Sequence, residues 1–139
     1  MALTREEILA MVDIDIKKLV VPEHLAKWSG KELYIRQLTR GDQDTYLKRM
    51  NGENKIVNGV REIYPTNYYG HDAWLCSRGA CDEQGNRLFT PEDVSAINEK
   101  SGEFVGWLAN EILTFSGMVE DAALAKKASK DKLKAETKN

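Results

Sequence analysis

Cys81-Asp82-Glu83-Gln84-Gly85-Asn86-Arg87-Leu88-Phe89-Thr90-Pro91-Glu92-Asp93 is the stretch whose reading decides the fold. Asp82 to Asn86 is turn chemistry: Asp and Asn side chains bond nearby backbone N–H groups, and Gly85 takes backbone angles closed to other residues. Arg87-Leu88-Phe89 then reads as a short return strand, and Thr90-Pro91-Glu92-Asp93 as a helix start. Thr90 can cap, Pro91 suits the first helical position, and Asp93 closes a capping box. A strand, a tight reversal and a helix in that order place a small antiparallel sheet beside helices.

Upstream, residues 73–81 fix no period, and the turn after them favours a strand. Glu32-Leu33-Tyr34-Ile35-Arg36-Gln37-Leu38 is rich in β-formers and predicts a second strand with Leu33 and Ile35 on one face. Thr39 with Asp42 repeats the capping-box spacing and opens a short helix whose inner face carries Tyr46, Leu47 and Met50. From Asn51 to Asn67 the glycines, four asparagines and Pro65 predict a mobile loop. At the N-terminus Thr4 and Glu7 form another capping box, and Ile8, Val12, Ile16 and Leu19 recur at helical spacing, predicting one helix that ends before Pro22.

Downstream of the deciding stretch, Val94 and Ile97 supply a buried helix face, and Ser101 caps a further helix. In that helix Phe104, Leu108, Ile112 and Phe115 repeat on one stripe, and Gly117 ends it. Beyond Met118 the composition shifts to Ala, Lys, Asp and Glu; from Lys126 six lysines face only Asp131 and Glu136. The expected organisation is a folded domain over residues 1–117 and a charged helical or disordered tail over 118–139. The fold class is α+β, a mainly helical single domain with a small antiparallel sheet.

Composition narrows the function. The 139 residues and 42% hydrophobic content fit one domain with one core. A formal charge of -2 provides no field to hold a nucleic-acid backbone or an anionic membrane surface, so neither is an expected partner. Charges interrupt every apolar run well short of the roughly 20 residues of a membrane span, and Met1-Ala2-Leu3-Thr4-Arg5-Glu6-Glu7 lacks the order of a secretory signal. The expected location is cytoplasmic.

Chemistry-bearing residues are few. His24, His71, Cys76 and Cys81 are the right ligand types for zinc, but His71-x4-Cys76-x4-Cys81 is not a zinc spacing. Residues 82–92 resemble a calcium loop only superficially: its glycine belongs at position 6, and Gly85 stands fourth from Asp82. A cysteine nucleophile would need a base and an orienting group that the sequence does not indicate. Phosphate loops, His-Glu-x-x-His helices and Gly-x-Ser-x-Gly elbows are absent. The reading is a binding protein rather than an enzyme, with no catalytic residue, no cofactor and no metal. The alternative is a small metal-binding or regulatory module using His71, Cys76 and Cys81. For partner binding, Tyr64, Tyr68 and Tyr69 are the candidates, because they lie in a polar, glycine-containing region where aromatics are exposed to partners.

The order of Trp28-Ser29-Gly30, the Leu33 to Leu38 strand, Leu38-Thr39-Arg40-Gly41-Asp42, and the Cys-Asp-Glu-x-Gly-Asn-Arg-Leu-Phe-Thr-x-Glu-Asp-Val run from Cys81 to Val94 resembles the tail assembly chaperones of long-tailed bacteriophages. The resemblance covers roughly residues 28 to 116 and rests on turn-and-cap chemistry, so it carries no active site. It implies a protein that coats the tape-measure protein, keeps it soluble and helps recruit tail-tube subunits in the host bacterial cytoplasm. It also implies self-association alongside a surface that grips a long helix.

Overall fold

The computed structural model describes residues 1–51, 54–63 and 70–118. Tyr64, Tyr68, Tyr69 and the tail beyond Met118 lie outside the described residues. The architecture is α+β, mainly helical, with a small antiparallel sheet in strand order β1-β2-β5. Its strands are β1 (Ile16–Val20), β2 (Glu32–Arg36) and the two-residue β5 (Ala80–Cys81). Leu19 pairs with Leu33, and Ile35 is flanked by Lys17 and Ala80. That register puts Leu19, Leu33, Ile35 and Ala80 on one face, the core face. Against it pack the central helix α3 (His71–Gly79) and the C-terminal helix α5 (Gly102–Phe115). Ile35, Leu75 and Ile112 are fully buried where these elements meet.

Thr4 does start a helix, with the Glu7 N–H donating to its Oγ1 at 3.2 Å, but α1 (Arg5–Ala10) ends after six residues. The expected continuation through Leu19 is wrong: β1 occupies that stretch. Val12, Ile14 and Ile16 also alternate with Asp13, Asp15 and Lys17, and the two-residue period wins because β2 offers an open edge to pair with.

The preference for a strand over residues 73–81 is also corrected, since α3 spans most of it and only Ala80 and Cys81 are extended. His71, Ala73, Leu75, Cys76, Ser77 and Gly79 are all buried, so α3 is covered on nearly every side. A helix without a solvent face leaves no apolar period to read. Its partner comes close at one point. A Cβ on Gly79 would stand 2.6 Å from Ile112 side-chain atoms, so only glycine permits this approach of α3 to α5.

Helix α2 (Arg40–Asn51) begins with the expected capping box: the Asp42 N–H donates to Thr39 Oγ1 at 3.1 Å and the Thr39 N–H to Asp42 Oδ2 at 3.3 Å. Within the segment expected as a loop lies a hairpin of β3 (Asn54–Val57) and β4 (Val60–Ile63). Asn58 and Gly59 form its turn with φ of 53° and 77°, the left-handed pair that a two-residue hairpin needs.

The stretch 82–93 behaves as a clamp. Asp82 Oδ1 accepts from the N–H groups of Gln84 and Asn86 at 2.9 and 3.0 Å, and Gly85 sits at φ 87°. These backbone bonds to a solvated carboxylate hold the Asp82 carboxyl below its ordinary range. The turn lies over the outer face of the sheet, where Tyr34 donates to Glu83 and Arg36 Nη1 to the Gly85 carbonyl, both at 2.9 Å. Arg87 contributes a single bridge to Cys81 rather than a return strand. Thr90 then opens a 3-10 turn, Pro91–Asp93, that continues into α4 (Val94–Ile97). Ser101 caps α5 through the Phe104 N–H at 3.1 Å, and Gly117 ends it at φ 75°.

Candidate interaction surfaces

The buried charge cluster is structural. Asp42 accepts from Arg78 Nε at 2.9 Å and from Arg87 Nη2 at 2.8 Å, joining α2, α3 and the clamp. Burial alone would push the Asp42 carboxyl up; the Arg78 hydrogen bond and the Arg87 charge outweigh it and hold the group below the usual carboxylate range. Both carboxylate oxygens are thereby committed, and Arg87 Nε donates to the Arg78 carbonyl at 3.1 Å.

The zinc and nucleophile candidates do not converge. Among the described residues no group of three or more His, Cys, Asp or Glu side chains is placed to hold a metal ion. His24 is exposed, while His71 Nδ1 accepts from Arg49 Nε at 3.2 Å at the start of α3. Cys76 lies one and a half turns along α3 and donates to the Val105 carbonyl, and Cys81 is in the sheet. Burial pushes the Cys76 thiol up to about 12, with Asp72 adding to it. Burial raises Cys81 as well, against the lowering charge of Arg36. Both are therefore protonated at neutral pH, the reverse of an activated thiolate.

What the fold leaves uncovered is apolar surface, in three places. A groove of about 350 Å³ opens between the end of the sheet and the α4–α5 corner. Val21, Leu33, Ala80, Phe89 and Ile97 form its floor. One wall is Trp28 stacked on Phe104, with ring centroids 4.0 Å apart and planes 6° from parallel. Four charges stand on the rim. Glu32 is engaged by Lys18 at 3.0 Å and Asp93 accepts from the Thr90 N–H at 2.8 Å. Lys31 and Lys100 take part in no ion pair among the described residues, so the rim is effectively basic. The Lys31 ammonium stands over the Trp28 ring, 5.9 Å from its centroid.

The second surface is the N-terminal arm. Helix α1 buries none of its residues, and Leu3, Ile8, Leu9, Met11 and Val12 are each more than half exposed. The third is the tip of the β3–β4 hairpin, where Ile56 is 79% and Val60 64% exposed. Apolar side chains clustered on solvent in this way mark contact surfaces rather than ordinary surface composition. No family model matches the chain, nor does any curated protein or solved structure. No helix among the described residues is long and apolar enough to cross a membrane.

Composition alone did not reveal the groove, because its walls come from five separate stretches. The arm was hidden by the helical spacing of Ile8, Val12, Ile16 and Leu19, which assigned its apolar residues to a core. Asn58-Gly59 between short apolar pairs was the available signal for the hairpin.

Proposed function

We propose that this chain is a phage or prophage tail assembly chaperone, which binds the tape-measure protein, holds it soluble and helps recruit tail-tube subunits. The observation that carries this reading is the exposed hairpin tip. It projects Ile56, Val57 and Val60 into solvent immediately before the stretch that contains Tyr64, Tyr68 and Tyr69. A long helical client presents the same apolar stripe turn after turn, and many copies, each covering a few side chains, hold it by avidity without a deep pocket. Covering one exposed Ile or Val is worth at most about 1.5–3 kcal/mol. A single contact is therefore weak and an array strong. The similarity over roughly residues 28 to 116 supports the same reading.

Co-expression with the tape-measure protein encoded beside this chain is the test. The chain is expected to move that protein into the soluble fraction, and the Ile56→Glu, Val60→Glu double variant to lose this effect while keeping its fold. A tape-measure protein equally insoluble with and without the chain would overturn the function. Full activity in the double variant would overturn the assignment of the surface.

A further inference from the structure

We propose that the N-terminal arm of one copy docks in the apolar groove of a second, so that copies join head to tail. The arm needs a cover: an isolated six-residue helix is far below the length that is stable in water. Its first turn is acidic, with Glu6 and Glu7, and Ile8, Leu9 and Met11 follow. The groove matches that order, with an apolar floor beside the unmatched ammonium groups of Lys31 and Lys100. Arg5 is the one basic side chain among the first fifteen residues, against Glu6, Glu7, Asp13 and Asp15. The charge complementarity runs between arm and rim.

The arm is led away from its own groove. Asp15 extends the pairing of β1, accepting from the Gln37 N–H at 3.1 Å and donating its own N–H to Gln37 Oε1 at 3.0 Å. Val12, Ile14 and Ile16 line a shallow depression with Arg36 and Gly85 over the outer face of the sheet. The groove lies at the far end of β1, beside Val21 and Glu32, and is floored by core-face residues Leu33 and Ala80. To fill it in the same copy, the arm would have to leave its seat, reverse at Asp15 and run back about 17 Å along the strand before crossing the sheet edge. A second copy's arm meets no such constraint.

Because arm and groove are different surfaces, the contact is heterologous, and unless it closes into a ring it propagates. Such a row would present one hairpin tip per copy, at regular intervals. The self-association stands apart from the client reading, since its test contains no client.

Two variants of the full chain supply that test: an arm variant, Ile8→Glu with Met11→Glu, and a rim variant, Lys31→Glu with Lys100→Glu. The exposed positions preserve the fold, which far-UV circular dichroism checks before association is read. In sedimentation velocity the parent chain is expected to gain mass as concentration rises to about 0.5 mM, in keeping with a small interface. Each variant alone is expected to stay at one copy. Mixed together, they are expected to give two copies and no more, because the arm variant keeps a working groove and the rim variant a working arm. A parent chain that stays at one copy throughout would overturn the proposal, as would variants that associate like the parent or a mixture that stays at one copy. So would a zero-length carbodiimide cross-link from Glu6 or Glu7 to Lys31 or Lys100 found within a single copy, which would put the arm in its own groove.

Discussion

Asp42 occupies two roles at once, and only one of them is visible in the sequence. Its spacing from Thr39 announces a helix cap, but its partners Arg78 and Arg87 are 36 and 45 residues away. Asp42→Asn keeps an amide oxygen for the Thr39 N–H and removes the charge that both arginines meet. The guanidinium side chains are about a quarter exposed, so the loss at neutral pH is expected near 2 kcal/mol, below that of a fully buried pair. The pH dependence follows from the direction of the shift. A carboxyl depressed in the folded state contributes in full above its unfolded value near 4 and loses that contribution as pH falls through the lower folded value. Urea unfolding of parent and variant should therefore differ most at pH 7 and converge toward pH 2; an unchanged difference would contradict the ion-pair account. Gly79→Ala is expected to cost about 1–3 kcal/mol through overpacking against Ile112, and Ile112→Val in the same chain to recover part of it. The buried, protonated thiols of Cys76 and Cys81 give a third expectation. Alkylation at pH 8 should follow the rate of chain opening, and reaction as fast as that of a free thiol would refute the burial.

At the scale of elements, the caps were legible because they are written in local chemistry. Thr4, Thr39, Thr90 and Ser101 each stand at the start of a helical turn, as their spacing requires. Replacing Ser101 by Ala should lower stability by about 1 kcal/mol, read from the midpoint of thermal unfolding. Elements whose identity depends on what surrounds them were not legible. Helix α3 is covered on nearly every side, so Ala73, Leu75 and Cys76 spell no stripe. Residues 12–16 satisfy both a helical and an alternating period, and the free edge of β2 decides between them. The stretch 82–93 gave the clearest signal in the chain, yet its Arg87 acts through Asp42 on another helix. Its turn and cap were readable, and its clamp on the sheet was not.

For the whole molecule, the sequence indicated a mainly helical α+β domain without indicating where its surface would be sticky. Groove, arm and hairpin tip appear only once the core has been filled, because each is apolar surface the fold did not use. A head-to-tail row would set hairpin tips at a regular spacing, and a client with a long amphipathic helix matches that regularity. The account therefore predicts a stoichiometry as well as an affinity. Light scattering on purified complexes with tape-measure fragments of increasing helical length should give a copy number that rises in proportion to that length. A copy number that stays fixed as the fragment lengthens would contradict it.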